Sequence, residues 1–330
     1  MISLASSESA EQGRRGCKVR FPEPALFAFT ILDDTDDATV ENVGPVYDLL
    51  TELGFRTTKT VWPLDCPEGS PLYFAGQTLD DPDYLSFVRG LIAKGFEVAY
   101  HGATMESSTR DRTKRGLQAF SALLGVTPTI HCNHGQNLEN VYWGAARYGA
   151  PAIRIPIALA ERLLRKPRYA GHDPDSPYFW GDLCRQQFRF VRNFTFSTLN
   201  NGAIPPTGPY RLKSTPWVQY WFNTADAPDA GAFKRLVTPA GVRKLCAEGG
   251  VCILSTHLGK GFARNGRVDP EIEDTLRYIA SLPGWFRPVS EVLELLLSHR
   301  PAEALSPWVQ WRLEGRHAAG RLLDRSHRAL

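Results

Sequence analysis

The sequence lacks several patterns that would each define a class of protein. Six cysteines are spread along the 330 residues and form no C-x-x-C pair, which excludes the usual zinc-finger and dithiol redox sites. No stretch reaches the roughly 18 apolar residues that a membrane-spanning helix needs. No G-x-G-x-x-G follows a predicted strand and no phosphate loop ends in Lys-Ser or Lys-Thr, so dinucleotide binding and phosphoryl transfer are not indicated.

The sequence also has little excess of charge of one sign and no recognisable export signal. The formal net charge is +3, too small for a nucleic-acid surface or a general membrane-binding field. Residues 1–20 contain no apolar stretch of signal-peptide length. We therefore expect a flexible leader and a cytoplasmic protein with reduced thiols.

Apolar strand-like runs alternate with helical periodicity along most of the chain. The predicted strands cover residues 25–32, 56–62, 127–132 and 251–256, with one more ending at His101, and the predicted helices cover 43–53, 82–94, 108–124, 138–148, 239–248, 270–281 and 289–299. Repeated β-α units need right-handed parallel crossovers, and a long series closes most economically into a barrel. The predicted fold is an α/β protein with a distorted (β/α) barrel whose functional face lies at the carboxyl ends of the strands.

Two regions depart from this regular pattern. Residues 156–216 hold Tyr, Phe, Trp, Pro and Gly in irregular runs, which predicts a loop-rich aromatic insertion that either stacks on sugar rings or packs its own aromatics. Residues 300–330 predict a basic amphipathic helix, for which a solvated or self-packed tail is favoured over peripheral membrane contact. The division is a leader at 1–20, a barrel at 21–299 and a tail at 300–330.

Acids and histidines fall where the predicted strands end. Asp33 and Asp34 close the first strand, and His101, His134 and His257 follow later strands. Imidazole and carboxylate bind zinc when three converge and leave one position open for water, whose pKa the metal then lowers to about 7. The pattern predicts one polar centre at the rim of the barrel.

Further carboxylates stand beside this first pair, at Asp36 and Asp37. Like charges so close cannot all be cheaply ionised in a buried site. We expect Asp36 or Asp37 to cap the next helix or to contact substrate.

Two of these segments resemble motifs of a known family. Ile31-Leu32-Asp33-Asp34 is similar to the T-F-D-D motif, and the segment ending at His257 to the L-x-L-H motif, of the polysaccharide deacetylase (NodB-homology) superfamily, carbohydrate esterase family 4. The G-x-E-V-x-x-H segment that ends at His101 fits the same domain. The resemblance implies a distorted barrel of the glycoside hydrolase/deacetylase type, with Asp33 as general base, Asp34 as ligand of a divalent metal, and His257 as general acid.

The family's H-[ST]-x-x-H motif is broken in this chain, because Met105 stands where the second histidine is expected. A thioether is a poor zinc ligand, so we expect His134 to replace it and predict a zinc site of Asp34, His101 and His134. The predicted substrate contacts are Asp36, Asn133, Trp180 and Asp182. The family's R-x-P-Y and D-x-x-D-W motifs have no clean match, although Arg192-Asn193 lies in the corresponding stretch.

The leading hypothesis is a metal-dependent hydrolase that removes an N-acyl group from an amino sugar, as a precursor step in surface polysaccharide biosynthesis. One alternative is a metal-independent cyclic-amide hydrolase of the same superfamily, because some members of that superfamily open cyclic amides without a metal. A second alternative is a non-catalytic carbohydrate-binding barrel, against which the aspartate pair and His257 argue.

Overall fold

The computed structural model describes residues 19–67 and 76–328, and the side chains up to residue 322. Most of the predicted leader, residues 1–18, lies outside the described residues. Within them, seven parallel strands close into a barrel, which confirms the predicted fold class. These strands are β1 (Phe27–Asp33), β2 (Thr58–Val61), β3 (Glu97–Tyr100), β4 (Ile130–His131), β5 (Phe190–Phe196), β6 (Tyr220–Asp226) and β7 (Val251–Thr256).

The barrel closes between its first and last strands. β1 pairs with β7 from Ala28 opposite Val251 to Asp33 opposite Thr256. All seven residues of β1 and all six of β7 are buried, as expected for parallel strands covered on both faces. On its other edge, β1 pairs with β2 near its carboxyl end and with the short strand β10 (Gly284–Trp285) near its amino end.

Helices cover the outside of the barrel and begin at residues suited to capping. Thr39 and Asn42 form a capping box at the first helix, and the side chain of Asp81 caps the second, which begins at Pro82. The helices are α1 (Val40–Glu52), α2 (Pro82–Ala93), α3 (Arg110–Leu124), α4 (Pro151–Leu163), α5 (Gly181–Gln187), α6 (Ala230–Leu236), α7 (Pro239–Glu248), α8 (Pro270–Ala280), α9 (Val289–His299) and α10 (Pro307–Arg328). A small antiparallel ribbon, β8 (Ala263–Arg264) with β9 (Arg267–Val268), precedes α8.

Two sequence predictions of secondary structure are wrong. The predicted helix at 138–148 is a loop with a short 3₁₀ turn, Gly144–Arg147, because Tyr142 and Gly144 adopt positive φ values of 49° and 61°. The region 156–216 is more regular than predicted, since it contains most of α4, all of α5 and all of β5. Pro156 lies inside α4, where a proline removes one backbone hydrogen bond and obscures the helical pattern.

The tail helix α10 packs onto the barrel along its described side chains. Leu313, Glu314 and His317 are buried, and the Tyr148 hydroxyl lies 2.9 Å from Nδ1 of His317. The carboxylate of Glu314 accepts hydrogen bonds from the backbone N–H groups of Gly149 and Ala150 at 2.8 and 2.9 Å. These contacts agree with the self-packed alternative. No helix in the described part of the chain is long and apolar enough to cross a membrane.

Candidate metal and hydrolytic centre

The polar centre lies at the carboxyl rim of the barrel. Asp34 directly follows β1, His101 follows β3, and His257 follows β7, while His134 stands three residues after β4. Carboxyl ends of parallel barrel strands meet at one rim, so these residues come together although they are far apart in sequence. The structure brings the three histidines and Asp34 into one cluster.

Asp36 occupies the middle of this cluster. Its Oδ1 lies 3.3 Å from Nε2 of His101 and 3.6 Å from Nε2 of His134. Its Oδ2 lies 3.3 Å from Nε2 of His257 and 3.7 Å from Nζ of Lys260. Burial by itself raises the pKa of Asp36, but the His101 and His257 imidazoles outweigh it and lower that pKa well below its usual range. Asp36 was predicted to contact substrate, and it is the carboxylate closest to the histidines.

The residues around Asp36 fit a divalent metal. Candidate ligand atoms of Asp36, His101 and His134 all lie within 4.8 Å of one another. Two ligands each about 2.1 Å from a tetrahedral zinc ion are about 3.4 Å apart, which is close to the separations from Asp36 Oδ1 to the two imidazoles. Within the described residues, Asp34 Oδ1, Asp36 Oδ1 and His101 Nδ1 are buried here without a hydrogen-bond partner. Unsatisfied buried polar atoms are costly, and a cation bound by Asp36, His101 and His134 would satisfy the Asp36 oxygen.

The histidines are oriented by their outer nitrogens. His134 Nδ1 lies 3.2 Å from Oδ1 of Asn137, whose amide nitrogen donates elsewhere, so Nδ1 carries a proton and Nε2 is directed toward the centre. His257 Nδ1 donates to the backbone carbonyl of Pro228 at 2.7 Å, which directs Nε2 into the centre. Burial lowers the pKa of His257, but Asp36 and Asp34 outweigh burial and raise it.

Asp34 forms a separate ion pair at the edge of the cluster. Arg192 Nη1 donates to Asp34 Oδ2 at 2.5 Å and to the Ser255 hydroxyl at 2.6 Å. Burial raises the pKa of Asp34, yet Arg192 and the histidines together lower it below its ordinary value. The other oxygen, Oδ1, lies 3.8 Å from His101 Nδ1. Asp34 is therefore an ionised carboxylate with one oxygen held and the other turned toward the histidines.

Asp33, predicted as the general base, is placed away from these histidines. Its carboxylate accepts from Lys59 Nζ at 2.9 Å, from the Tyr47 hydroxyl at 2.8 Å and from the Leu258 backbone N–H at 2.9 Å. Asp33 and Lys59 are both fully buried. Successive side chains of a strand point to opposite faces, so Asp34 faces the rim while Asp33 packs toward α1.

Three predicted substrate contacts lie elsewhere in the structure. Trp180 is 1% exposed and donates from Nε1 to the backbone carbonyl of Glu139, so its ring is not available as a sugar platform. Asn133 is buried and bonds His131 and the Val141 backbone. Asp182 forms a two-contact ion pair with Arg110 near the protein surface.

Sequence reasoning assigned no role to several residues of this region. Lys59 and Arg192 are charged residues within buried strands, where each forms an ion pair. Lys260 follows His257 in a loop, where sequence gives no comparable signal. Asp226 ends β6 opposite Ser255, and burial raises its pKa. Its strand-end position is the signal that could have found it.

Comparison with known proteins gives the fold. No model of a known protein family and no curated protein sequence matches the chain. Solved structures do match: a polysaccharide deacetylase candidate from Mycobacterium smegmatis has a TM-score of 0.53 and 15% identity over 88% of this chain and 97% of its own. Puue allantoinase has a TM-score of 0.53 at 12% identity, and a deacetylase candidate from Pseudomonas aeruginosa PAO1 has 0.52 at 12%, with the same coverage.

The chain thus has the barrel fold of the polysaccharide deacetylase type, and the predicted resemblance is confirmed at the level of fold. At identities of 12–15%, the similarity to these structures supports a shared fold and nothing beyond it. The roles of individual residues rest on the geometry described above.

Proposed function

We propose that this protein is a metal-dependent hydrolase that removes an N-acyl group from an amino sugar. The observation that carries the proposal is the convergence of Asp36, His101 and His134 beside the Asp34–Arg192 ion pair and His257. A carboxylate and two imidazoles form a ligand set of the kind found in hydrolytic zinc sites. The described fold neighbours that bear deacetylase names support the choice of an amide in an amino sugar.

In this proposal, Asp36, His101 and His134 would hold the ion, and Asp36 replaces Asp34 in the triad predicted from sequence. A bound divalent ion supplies Lewis acidity toward the amide carbonyl and lowers the pKa of water. His134 then stands in for the histidine that the family places at Met105. Met105 itself packs in a buried cluster with Trp62 and Cys66.

The proton-transfer roles follow from the hydrogen bonds. Asp34 is the proposed general base, because its Oδ1 has no hydrogen-bond partner while Arg192 and Ser255 hold Oδ2. His257 is the proposed general acid, which gives the Nε2 proton to the departing amine. Its bond to Pro228 keeps the ring oriented, and the negative charge of the nearby Asp34 favours the protonated form.

The substrate is proposed as an amino-sugar precursor of a surface polysaccharide. This part depends on the expected cytoplasmic location, in which a precursor is the accessible form of such a sugar. The assay is acetate release from N-acetylated amino sugars in free, nucleotide-linked and polymeric form. Zinc-loaded protein that releases no acetate from any of them would reject the deacetylase function.

Metal binding is tested separately from activity. Protein incubated with zinc and then desalted should retain about one ion per chain. Asp36→Asn, His101→Ala and His134→Ala should each lower zinc affinity by more than about 100-fold, beyond the effect of losing an outer-shell partner. Asp37→Asn is the matched control, because Asp37 is the neighbouring, more exposed aspartate and Asn tolerates its φ of 59°. Equal zinc retention in all four variants would refute the proposed ligands.

A second candidate is a metal-independent hydrolase of cyclic amides. The observation that favours it is Met105 at the expected second histidine, together with the fold likeness to an allantoinase. Ring opening of a cyclic amide by chelator-treated protein, undiminished in His134→Ala, would establish this alternative. Loss of that activity with the metal would reject it.

A further inference from the structure

Helix α4 turns large apolar side chains toward solvent. Ile155, Leu159 and Leu163 are 54%, 57% and 83% exposed, and Leu164, directly after the helix, is 64% exposed. Positions four residues apart lie on one face of an α-helix, so the first three form a continuous stripe. Scattered exposed leucines are ordinary in soluble proteins, whereas a contiguous stripe marks a surface for interaction.

The opposite side of α4 is already occupied by the protein. Ile153 and Ile157 are partly buried and pack against the core that β5 and α10 share, and Ile153 lies beside Gly315 of α10. Glu161, on the same side, accepts a hydrogen bond from the Ala145 backbone N–H at 3.1 Å. The helix is therefore anchored through one face, and its apolar stripe is not needed for that anchoring.

Basic side chains flank the stripe. The exposed ones in and directly after α4 are Arg154, Arg162, Arg165 and Lys166. Glu161 is the acidic residue of the helix, and its carboxylate is engaged with Ala145. An apolar stripe flanked by Arg and Lys is the pattern of helices that lie in the surface of an anionic bilayer.

We infer that the outer face of α4, formed by Ile155, Leu159 and Leu163 with Arg154, Arg162, Arg165 and Lys166, binds an anionic lipid surface. The apolar side chains enter the boundary between headgroups and acyl chains, and the guanidinium and ammonium groups contact lipid phosphates. This inference does not depend on the proposed activity.

Charge complementarity favours a lipid surface over a second copy of the chain. In a two-fold symmetric dimer the same patch meets itself, so the basic group of Arg154, Arg162, Arg165 and Lys166 on one copy would be brought against the same basic group on the other. Like charges placed together at an interface oppose association. An anionic bilayer supplies negative charge opposite every basic group at once.

The position of α4 relates this surface to the polar centre. Tyr148, just before α4, packs its ring on Phe194 in the carboxyl half of β5. α4 therefore starts near the carboxyl rim that carries Asp34, Asp36 and the histidines. The proposed lipid-binding helix and the polar centre therefore begin at the same end of the barrel.

The test is co-sedimentation of the full chain with vesicles. Binding should occur to phosphatidylcholine vesicles that contain phosphatidylglycerol, should be much weaker to phosphatidylcholine alone, and should weaken as salt is raised. Ile155→Ser/Leu159→Ser should reduce binding at least about tenfold, because apolar area no longer enters the bilayer. Arg154→Gln/Arg162→Gln should reduce it about 25-fold, at about fivefold for each charge.

The matched controls are Leu26→Ser and Arg243→Gln, which change an exposed leucine and an exposed arginine elsewhere on the surface. Both should bind within about twofold of the wild type. Circular dichroism checks that each variant is folded. Folding is expected, because substitutions at exposed positions usually change stability little. The inference is overturned by wild-type protein that does not sediment with anionic vesicles, or by α4 variants that bind like the controls. A concentration-dependent dimer that Ile155→Ser/Leu159→Ser abolishes would assign the surface to self-association instead.

Discussion

Asp33 and Asp34 are neighbours in sequence and have opposite environments. Asp34 faces the histidines at the rim, whereas Asp33 is enclosed with Lys59 and Tyr47 beneath α1. Burial lowers the pKa of Lys59, but the charge of Asp33 outweighs burial and raises it. We therefore propose that Asp33 and Lys59 stabilise the fold and that Asp33 takes no part in proton transfer.

Replacement of Lys59 by Met should destabilise the protein by about 3 kcal/mol or more, because it leaves Asp33 as an uncompensated buried charge. The double variant Lys59→Met/Asp33→Asn should recover part of that loss. Urea denaturation of the two single variants and the double variant measures both effects.

Zinc retention provides the control for this assignment. Folded Lys59→Met and Asp33→Asn proteins should bind zinc like the wild type, because neither residue contacts Asp36, His101 or His134. If either variant is folded and as stable as the wild type but loses zinc, Asp33 contributes to the metal site and the assignment is wrong.

The residue types of the centre were predictable, but the assignment of roles among the aspartates was not. His101, His134 and His257 were recognisable because each follows a predicted strand. Which aspartate meets them depends on how the chain turns after β1, where Asp37 has a positive φ of 59° and Asp36 is directed inward. A motif of four nearby carboxylates does not encode that turn.

At the scale of single elements, the start of α4 depends on a residue from the other end of the chain. Ala150 offers no side-chain cap at the start of the helix. Glu314 of α10 instead fixes the two residues just before the helix, since its two oxygens bind the N–H groups of Gly149 and Ala150. The negative charge also suits the positive end of the helix dipole.

Glu314→Ala should lower the free energy of unfolding by about 2–4 kcal/mol, because it removes two charge-assisted hydrogen bonds and leaves a cavity. The exposed Glu303→Ala is the matched control and should change stability by less than about 0.5 kcal/mol. Chemical denaturation measures both variants. Equal effects would show that Glu314 does not hold α4 in place.

Elements with clear start and stop residues were predicted well. The predicted boundaries of α7 and β7 agree with the structure, because Thr238 caps α7 and Gly249 ends it at φ 62°. Helix α4 was missed, because Pro156 obscures its pattern and because Glu314, which fixes the residues before its first turn, lies more than 150 residues away in sequence. The local sequence cannot predict a contact that is made by a residue of a distant helix.

At the scale of the whole molecule, buried carboxyl groups make stability depend on pH. Burial raises the pKa values of Glu97, Glu139 and Asp226 above their ordinary values, and that of Glu139 to about 7. Such a group binds a proton more tightly in the folded state than in the unfolded state. Its contribution to stability is therefore present at low pH and is lost as pH rises through the folded pKa.

Glu139→Gln isolates this effect. Between about pH 4.5 and 7, the wild type should lose up to about 3 kcal/mol relative to the variant, which cannot ionise at this position. Denaturant unfolding at pH 5, 6, 7 and 8 gives the difference between the two proteins. A difference that stays constant with pH would show that Glu139 has an ordinary pKa in the folded state.

The overall architecture was predictable because each β-α unit carries its own hydrophobic period, and the number of units suggested closure. The identity of the closing pair was not predictable in the same way. β1 pairs with β7 along six residues, while the short strand β10 adds to the other edge of β1. Such pairings depend on barrel geometry, which no local segment encodes.

This closing pair also determines when the protein can fold during its synthesis. Ala28 and Val251 are roughly 220 residues apart, so β1 emerges from a ribosome on the order of ten to forty seconds before its partner. Throughout that interval β1 exposes an unpaired edge on a largely apolar strand, which is a template for aggregation. We therefore expect the nascent chain to depend on chaperones until residues beyond Thr256 have emerged, and the centre, which includes His257, to assemble only after that point.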